Sequence, residues 1–176
     1  MLVKASIIIP VYNAQNTIRR AIDSAVNQTT DEPYEVILIN DGSKDGSAAI
    51  LDAYASRYAY VRVVHQANQG ITRTRENGIR AARGEYIFWV DADDYADKHL
   101  LAKTLPLLES GADVVIYGTQ YFWENGGRAD NRIRKNISDA AYWKQQALNA
   151  NLSTIWTYGT RRAYWEGETA PSEVAR

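Results

Sequence analysis

Short apolar, β-branched runs alternate along this chain with stretches in which apolar positions recur at three- and four-residue spacing. The first pattern suits strands buried on both faces and the second suits amphipathic helices, so their alternation predicts strand-helix units in a mostly parallel sheet flanked by helices on both faces. Strands are expected at Ser6–Val11, Glu35–Asn40, Val61–His65, Tyr86–Asp91 and Asp113–Tyr117. Between the first two, Ile18, Ala21, Ile22, Ala25 and Val26 form one apolar helix face, with Arg19, Arg20 and Asp23 turned outward. A second helix places Ile50, Leu51, Tyr54 and Tyr58 on its inner side, and a third runs from Ile71 to Ala82 and stops at Gly84. A fourth is expected over Lys98–Glu109, kinked or shortened by Pro106, which lacks a backbone donor. After Gly118 the pattern changes to a short aromatic run at Tyr121 to Trp123, a turn at Asn125-Gly126-Gly127 and a helix from Ser138 to Asn149. The stretch from Gly159 to Arg176 is polar and shows no closing strand.

Composition narrows the classes. The 176 residues, 45% hydrophobic and 23% charged, supply one sizeable core without the composition of a disordered chain. Twenty Lys and Arg against twenty-one Asp and Glu leave no global field to recruit nucleic acid, so an anionic ligand has to be held locally. The absence of cysteine excludes disulfides, thiolate metal sites and cysteine nucleophiles. Ala5 to Val11 is too short to span a bilayer and no signal-peptide pattern precedes it, so a cytoplasmic location is expected, the inner face of the membrane included.

Ligands of open parallel sheets bind beyond the carboxyl ends of the strands. Here three such ends are polar: Pro10-Val11-Tyr12-Asn13, Asn40-Asp41-Gly42-Ser43-Lys44-Asp45 and Asp91-Ala92-Asp93-Asp94. Three Asp within four residues repel one another unless a cation shares the site, and oxygen-only ligands suit Mg²⁺ or Mn²⁺ with a diphosphate as co-ligand. Equally, Asp93 or Asp94 suits the cap of the helix that follows. Asp45 fits a turn or helix-cap role, whereas Asp41 stands at the strand end, where its carboxylate can accept a ligand N–H. Tyr12 suits stacking on a base or packing under its loop, and Arg75 suits bidentate phosphate binding or a solvated helix face. His65 and His99 lack metal-ligand spacing and read as structural or exposed. No Gly-x-Gly-x-x-Gly follows the first strand, which excludes a dinucleotide dehydrogenase, and Tyr12-Asn13 stand where a phosphate-accepting signalling domain places acidic residues.

Together, Ser6-Ile7-Ile8-Ile9-Pro10-Val11-Tyr12-Asn13, Asn40-Asp41-Gly42-Ser43, Asn68-Gln69-Gly70 and Asp91-Ala92-Asp93-Asp94 resemble, in order and spacing over Ala5 to Asp97, the inverting family 2 glycosyltransferases. The resemblance implies a GT-A (Rossmann-like) α/β fold that binds a nucleoside diphosphate sugar, usually of uridine, with Mn²⁺ or Mg²⁺ on the diphosphate. It implies that Pro10, Val11 and Tyr12 line the nucleoside, Asp41 accepts the uracil N–H, Asp91 and Ala92 border the ribose, and Asp93 is the metal ligand, with Asp94 second. Arg75 matches an arginine of the family, although Glu76 replaces an asparagine common beside it. The implied organisation is a nucleotide-sugar-binding core at 1–118 and a partial acceptor-side region at 119–176, shortened relative to the family. The implied acceptor is a saccharide or lipid-linked hydroxyl, with peripheral membrane association compatible, in bacterial cell-surface polysaccharide or lipopolysaccharide synthesis. The family's catalytic base lies in an acidic motif beyond a stretch that Trp156 to Trp165 loosely resembles. Glu166, Glu168 and Glu173 do not match its context, so no base is assigned, and a nucleotide-sugar-binding module without transferase activity is the alternative reading.

Overall fold

The computed structural model describes residues 2–112, 114–122, 127–131 and 158–166. Five strands appear near the expected places: β1 (Ala5–Val11), β2 (Tyr34–Asp41), β3 (Val61–Gln66), β4 (Tyr86–Trp89) and β5 (Val114–Ile116). Helices α1 (Ile18–Val26), α2 (Ser47–Arg57), α3 (Ile71–Ala81) and α4 (Leu100–Glu109) lie between them. β6 (Thr119–Phe122) pairs antiparallel with β7 (Arg128–Asn131); of the expected Asn125-Gly126-Gly127 turn, Asn125 and Gly126 lie outside the described residues. The expected helix at Ser138–Asn149 lies outside the described residues.

The main sheet has the order β3-β2-β1-β4-β8-β5, with β8 at Tyr158–Arg161. β1 pairs in parallel with β2 and β4, and β2 with β3. Strand order therefore reverses between β1 and β4, the switch point at which open α/β sheets leave a crevice. β8 was not expected, because Tyr-Gly-Thr-Arg carries no apolar run. It is nevertheless internal, antiparallel to both β4 and β5. Gly159 allows this, since a Cβ there would stand 2.4 Å from the Phe88 ring across the pair.

Strand residues divide between two cores. Ile7, Ile9, Val11, Val36, Leu38, Phe88 and Val90 face the side covered by α1, α2 and α4. Ile8, Ile37, Ile39, Ile87 and Trp89 face α3 and Trp165. All five apolar positions predicted for α1 are buried, and Arg19, Arg20 and Asp23 are exposed. α4 is not shortened at Pro106: Leu101, Leu105 and Leu108 are buried along it, and each fully buried leucine contributes about 2 kcal/mol, which offsets the missing backbone bond. β4 ends at Trp89, two residues earlier than expected, so Asp91 lies on the turn beyond the sheet.

A buried polar knot joins the opposite edge. Glu35, 3% exposed, accepts from Ser6 Oγ (2.8 Å), Arg62 Nη1 (2.9 Å) and the Arg83 N–H (2.6 Å), and Ser6 Oγ accepts from the Gly84 N–H. Nearby, Lys4 bridges Glu85 and Glu109, which ties β1 to β4 and α4.

Candidate functional site

The loops after β1 and β2 are laced together. Asn13 adopts a left-handed backbone (φ 50°), a conformation asparagine tolerates better than most residues. Its Oδ1 accepts the Lys44 N–H (2.7 Å) and its own N–H donates to Ser43 Oγ (3.0 Å). Asp45 takes a structural role, accepting the N–H groups of Gln15 and Ser47. Gly42 has φ 68°, and a Cβ on it would stand 2.7 Å from the Asn68 nitrogen, so glycine is required where the β2 loop passes the loop before α3. Pro10 and Val11 are buried at the end of β1, and Tyr12 projects beside them, 50% exposed.

Asp41 closes β2 and is 4% exposed. Its Oδ1 accepts from Gln66 Nε2 (2.7 Å) and the Gln69 N–H (2.8 Å), and its Oδ2 accepts from the Gly70 N–H (3.0 Å). Burial pushes its carboxyl pKa up, but these donors together with Thr74 outweigh it and hold the group below the usual carboxylate range. Gln66 also donates to Thr74 Oγ1 and accepts from Asn77 Nδ2, so the end of β3 and the first two turns of α3 share one network with Asp41. Gln66 was missed in the sequence; its signal was its place at a strand end.

At the switch point, Asp91, Ala92, Asp93 and Asp94 form a turn closed by the Asp94 N–H donating to the Asp91 carbonyl (3.0 Å). Arg75 on α3, its side chain 9% exposed, places Nη2 3.3 Å from Asp91 Oδ1. Glu76 points elsewhere, pairing with Arg73 on the solvent face, so its presence leaves the direction of Arg75 intact. Burial raises the Asp91 carboxyl and Arg75 partly opposes this; burial also raises Asp94, reinforced by the charges of Asp93 and Asp91. Ala92 packs against the α1/α4 core, and Asp93 and Asp94 are exposed. On the other side, Arg20 from α1 donates to the Asp93 carbonyl, and its guanidinium lies 4.9 Å from the centre of the Tyr95 ring. Arg20 is exposed, as helix periodicity places it, and its long side chain reaches the turn from there.

His65 bonds Asn40 and Asp52, and His99 bonds Asp97, both structural contacts. Among the described residues no three His, Asp or Glu side chains converge tightly enough to hold a metal by themselves. The donor chemistry still fits a hard cation, because the side chains of the turn offer carboxylate oxygens. Of the residues considered as a base, the Glu166 side chain, Glu168 and Glu173 lie outside the described residues.

The glycosyl transferase family 2 model matches residues 6–166. The chain is 46% identical over 174 residues to a Bacillus subtilis (strain 168) protein named Uncharacterized glycosyltransferase EpsJ, a match covering 94% of this chain and 50% of that one. The chain thus spans about half the length of this relative. Its fold is like that of Staphylococcus aureus TarS residues 1–349, solved in complex with UDP-GlcNAc (TM-score 0.71, 24% identity, 93% of this chain and 46% of that chain). It is also like that of the Pyrobaculum calidifontis mannosyltransferase PcManGT, solved in complex with GDP-Man and Mn²⁺ (TM-score 0.58, 23% identity, 65% and 35%). The mostly parallel sheet with helices on both faces is accordingly the GT-A architecture. With its motifs in register and the family model spanning nearly its whole length, the chain belongs to glycosyl transferase family 2.

Proposed function

We propose that this chain is the donor-binding part of a metal-dependent glycosyltransferase that moves a sugar from a UDP-sugar to an acceptor hydroxyl with inversion, in bacterial cell-surface polysaccharide synthesis. The observation that carries the reading is the Asp91–Asp94 turn beside the buried Arg75 at the β1/β4 switch point. Asp93 would be the ligand for Mn²⁺ or Mg²⁺, with Asp94 behind it. A cation held there neutralises the charge that develops on the leaving diphosphate. Arg75 presents a guanidinium suited to a phosphate oxygen, and its bond to Asp91 keeps it aimed at the crevice. Pro10, Val11 and the exposed Tyr12 border the nucleoside, and Asp91 and Ala92 border the ribose. The donor-bound complexes of TarS and PcManGT support a nucleotide-sugar ligand for this fold.

Asp41, at the end of β2, would accept the uracil N–H, as the resemblance to the family implies. In the transfer itself, the acceptor oxygen forms its bond to the anomeric carbon from the face opposite the diphosphate, the diphosphate leaves with the bonding pair, and the acceptor proton passes to a carboxylate base. No residue is assigned as that base.

Calorimetric titration of UDP with and without Mn²⁺, on the wild type and on Asp93→Ala, tests the reading. Metal-dependent binding abolished in Asp93→Ala is expected. No UDP binding by the folded protein, with or without metal, overturns the donor site. Binding of a UDP-sugar without turnover on any saccharide or lipid-linked acceptor favours a nucleotide-sugar-binding module.

A further inference from the structure

Resting on the donor-site reading above, we infer that Arg20 is a positioning residue for the metal-binding turn: it fixes the Asp93 backbone and so sets the affinity for the divalent cation. The turn between β4 and α4 is tied down at both ends. At its start the Asp94 N–H bonds the Asp91 carbonyl. At its end the Ala96 N–H donates to Ser24 Oγ (3.0 Å), Gln28 Nε2 to the Asp97 carbonyl (3.0 Å) and the Thr29 N–H to the Lys98 carbonyl (2.8 Å), all from the second half of α1 or just beyond it.

Between these two anchors stand Asp93 and Tyr95, and Arg20 reaches both. It bonds the carbonyl of the first and covers the ring of the second. Arg20 lies one helical turn before Ser24 on the same side of α1, so a single edge of that helix runs along the acidic turn from Asp93 to Lys98. The guanidinium suits this task for two reasons. It is planar, so one edge can donate while a face lies over an aromatic ring, and it stays charged at every working pH. Its bond goes to the Asp93 carbonyl and leaves the Asp93 carboxylate available to a cation. Periodicity cannot show this role, because the contact spans 73 residues of sequence.

Residues that orient a metal ligand from outside the coordination shell typically change metal affinity by roughly 10- to 100-fold. Arg20 is exposed, so the lower end applies. The test measures Mn²⁺ uptake at saturating UDP, from loss of the free-ion electron paramagnetic resonance signal, for the wild type, Arg20→Ala, Arg20→Lys and Asp93→Ala. Arg20→Ala is expected to weaken Mn²⁺ binding about tenfold while metal-free UDP binding stays within about twofold. Arg20→Lys, which keeps the charge but not the planar fork, should recover part of the loss. In the ligand-free protein, hydrogen exchange at the amides of Asp93 to Tyr95 should quicken in Arg20→Ala and not at the end of β4.

Wild-type Mn²⁺ affinity in Arg20→Ala overturns the inference alone. So does an equal loss of metal-free and metal-dependent UDP binding, which marks general damage to the fold. Failure of the wild type and Asp93→Ala alike to take up Mn²⁺ with UDP overturns the donor-site reading and the inference with it.

Discussion

Replacing Asp41 by Asn isolates the contribution of one buried carboxylate to the framework of the site. The side chain keeps its shape, and its remaining carbonyl oxygen can still accept from Gln66 Nε2 and the Gln69 N–H. The new amide nitrogen then faces the Gly70 N–H, donor against donor. One charge-assisted hydrogen bond is lost, about 1.5–3 kcal/mol, and a half-enclosed N–H is left unsatisfied at about 1–3 kcal/mol. The sum is about 2.5–6 kcal/mol, which for a chain of this size lowers Tm by roughly 5–20 °C. The pH dependence carries a definite sign. Because the folded pKa of Asp41 is depressed, its stabilisation is fully present above the unfolded value of about 4 and is lost as pH falls through the folded value. Urea unfolding of both proteins at pH 7, and at steps down to about pH 3, should therefore show a stability gap that is widest at neutral pH and narrows in acid. A gap under about 1 kcal/mol at pH 7, or one that does not change with pH while both proteins remain folded, would refute the argument that three donors converge on an ionised Asp41.

Two further substitutions probe how the elements that carry the site are packed. Gly78→Ala places a methyl 2.6 Å from Ile8 Cγ2, where α3 lies on the sheet, and should cost about 1–3 kcal/mol in urea unfolding; an unchanged midpoint would mean that α3 moves freely. Glu35→Gln turns an amide N–H₂ either toward Arg62 or toward the Ser6 and Arg83 donors and should cost about 2–3 kcal/mol, reduced by the solvent that reaches Arg62. A loss below about 0.5 kcal/mol would show that the knot contributes little to stability.

Much of the fold could be read from local pattern, because burial on both faces of a parallel strand leaves an unbroken apolar run and burial on one face of a helix leaves a stripe. Ile7 to Ile9, Val36 to Ile39 and the Ile18-Ala21-Ile22-Ala25-Val26 face are visible for that reason. The acidic turn was visible as well, since three close carboxylates are costly enough to need a reason wherever they fall. β8 was invisible because its four residues gain their place from β4 and β5 on either side, not from an apolar pattern of their own. That Pro106 does not shorten α4 was not legible, because Leu101, Leu105 and Leu108 hold the helix through a core that the local sequence does not show. The partners of Asp41 at Gln66, Gln69 and Gly70, the knot around Glu35 and the reach of Arg20 to Asp93 all join residues far apart in sequence. The sequence by itself determined which strand ends are polar and which segments pack inside. Only the tertiary structure decided which polar groups meet, because a hydrogen bond depends on ångström distances between elements, and those are set by how the sheet and its helices pack together.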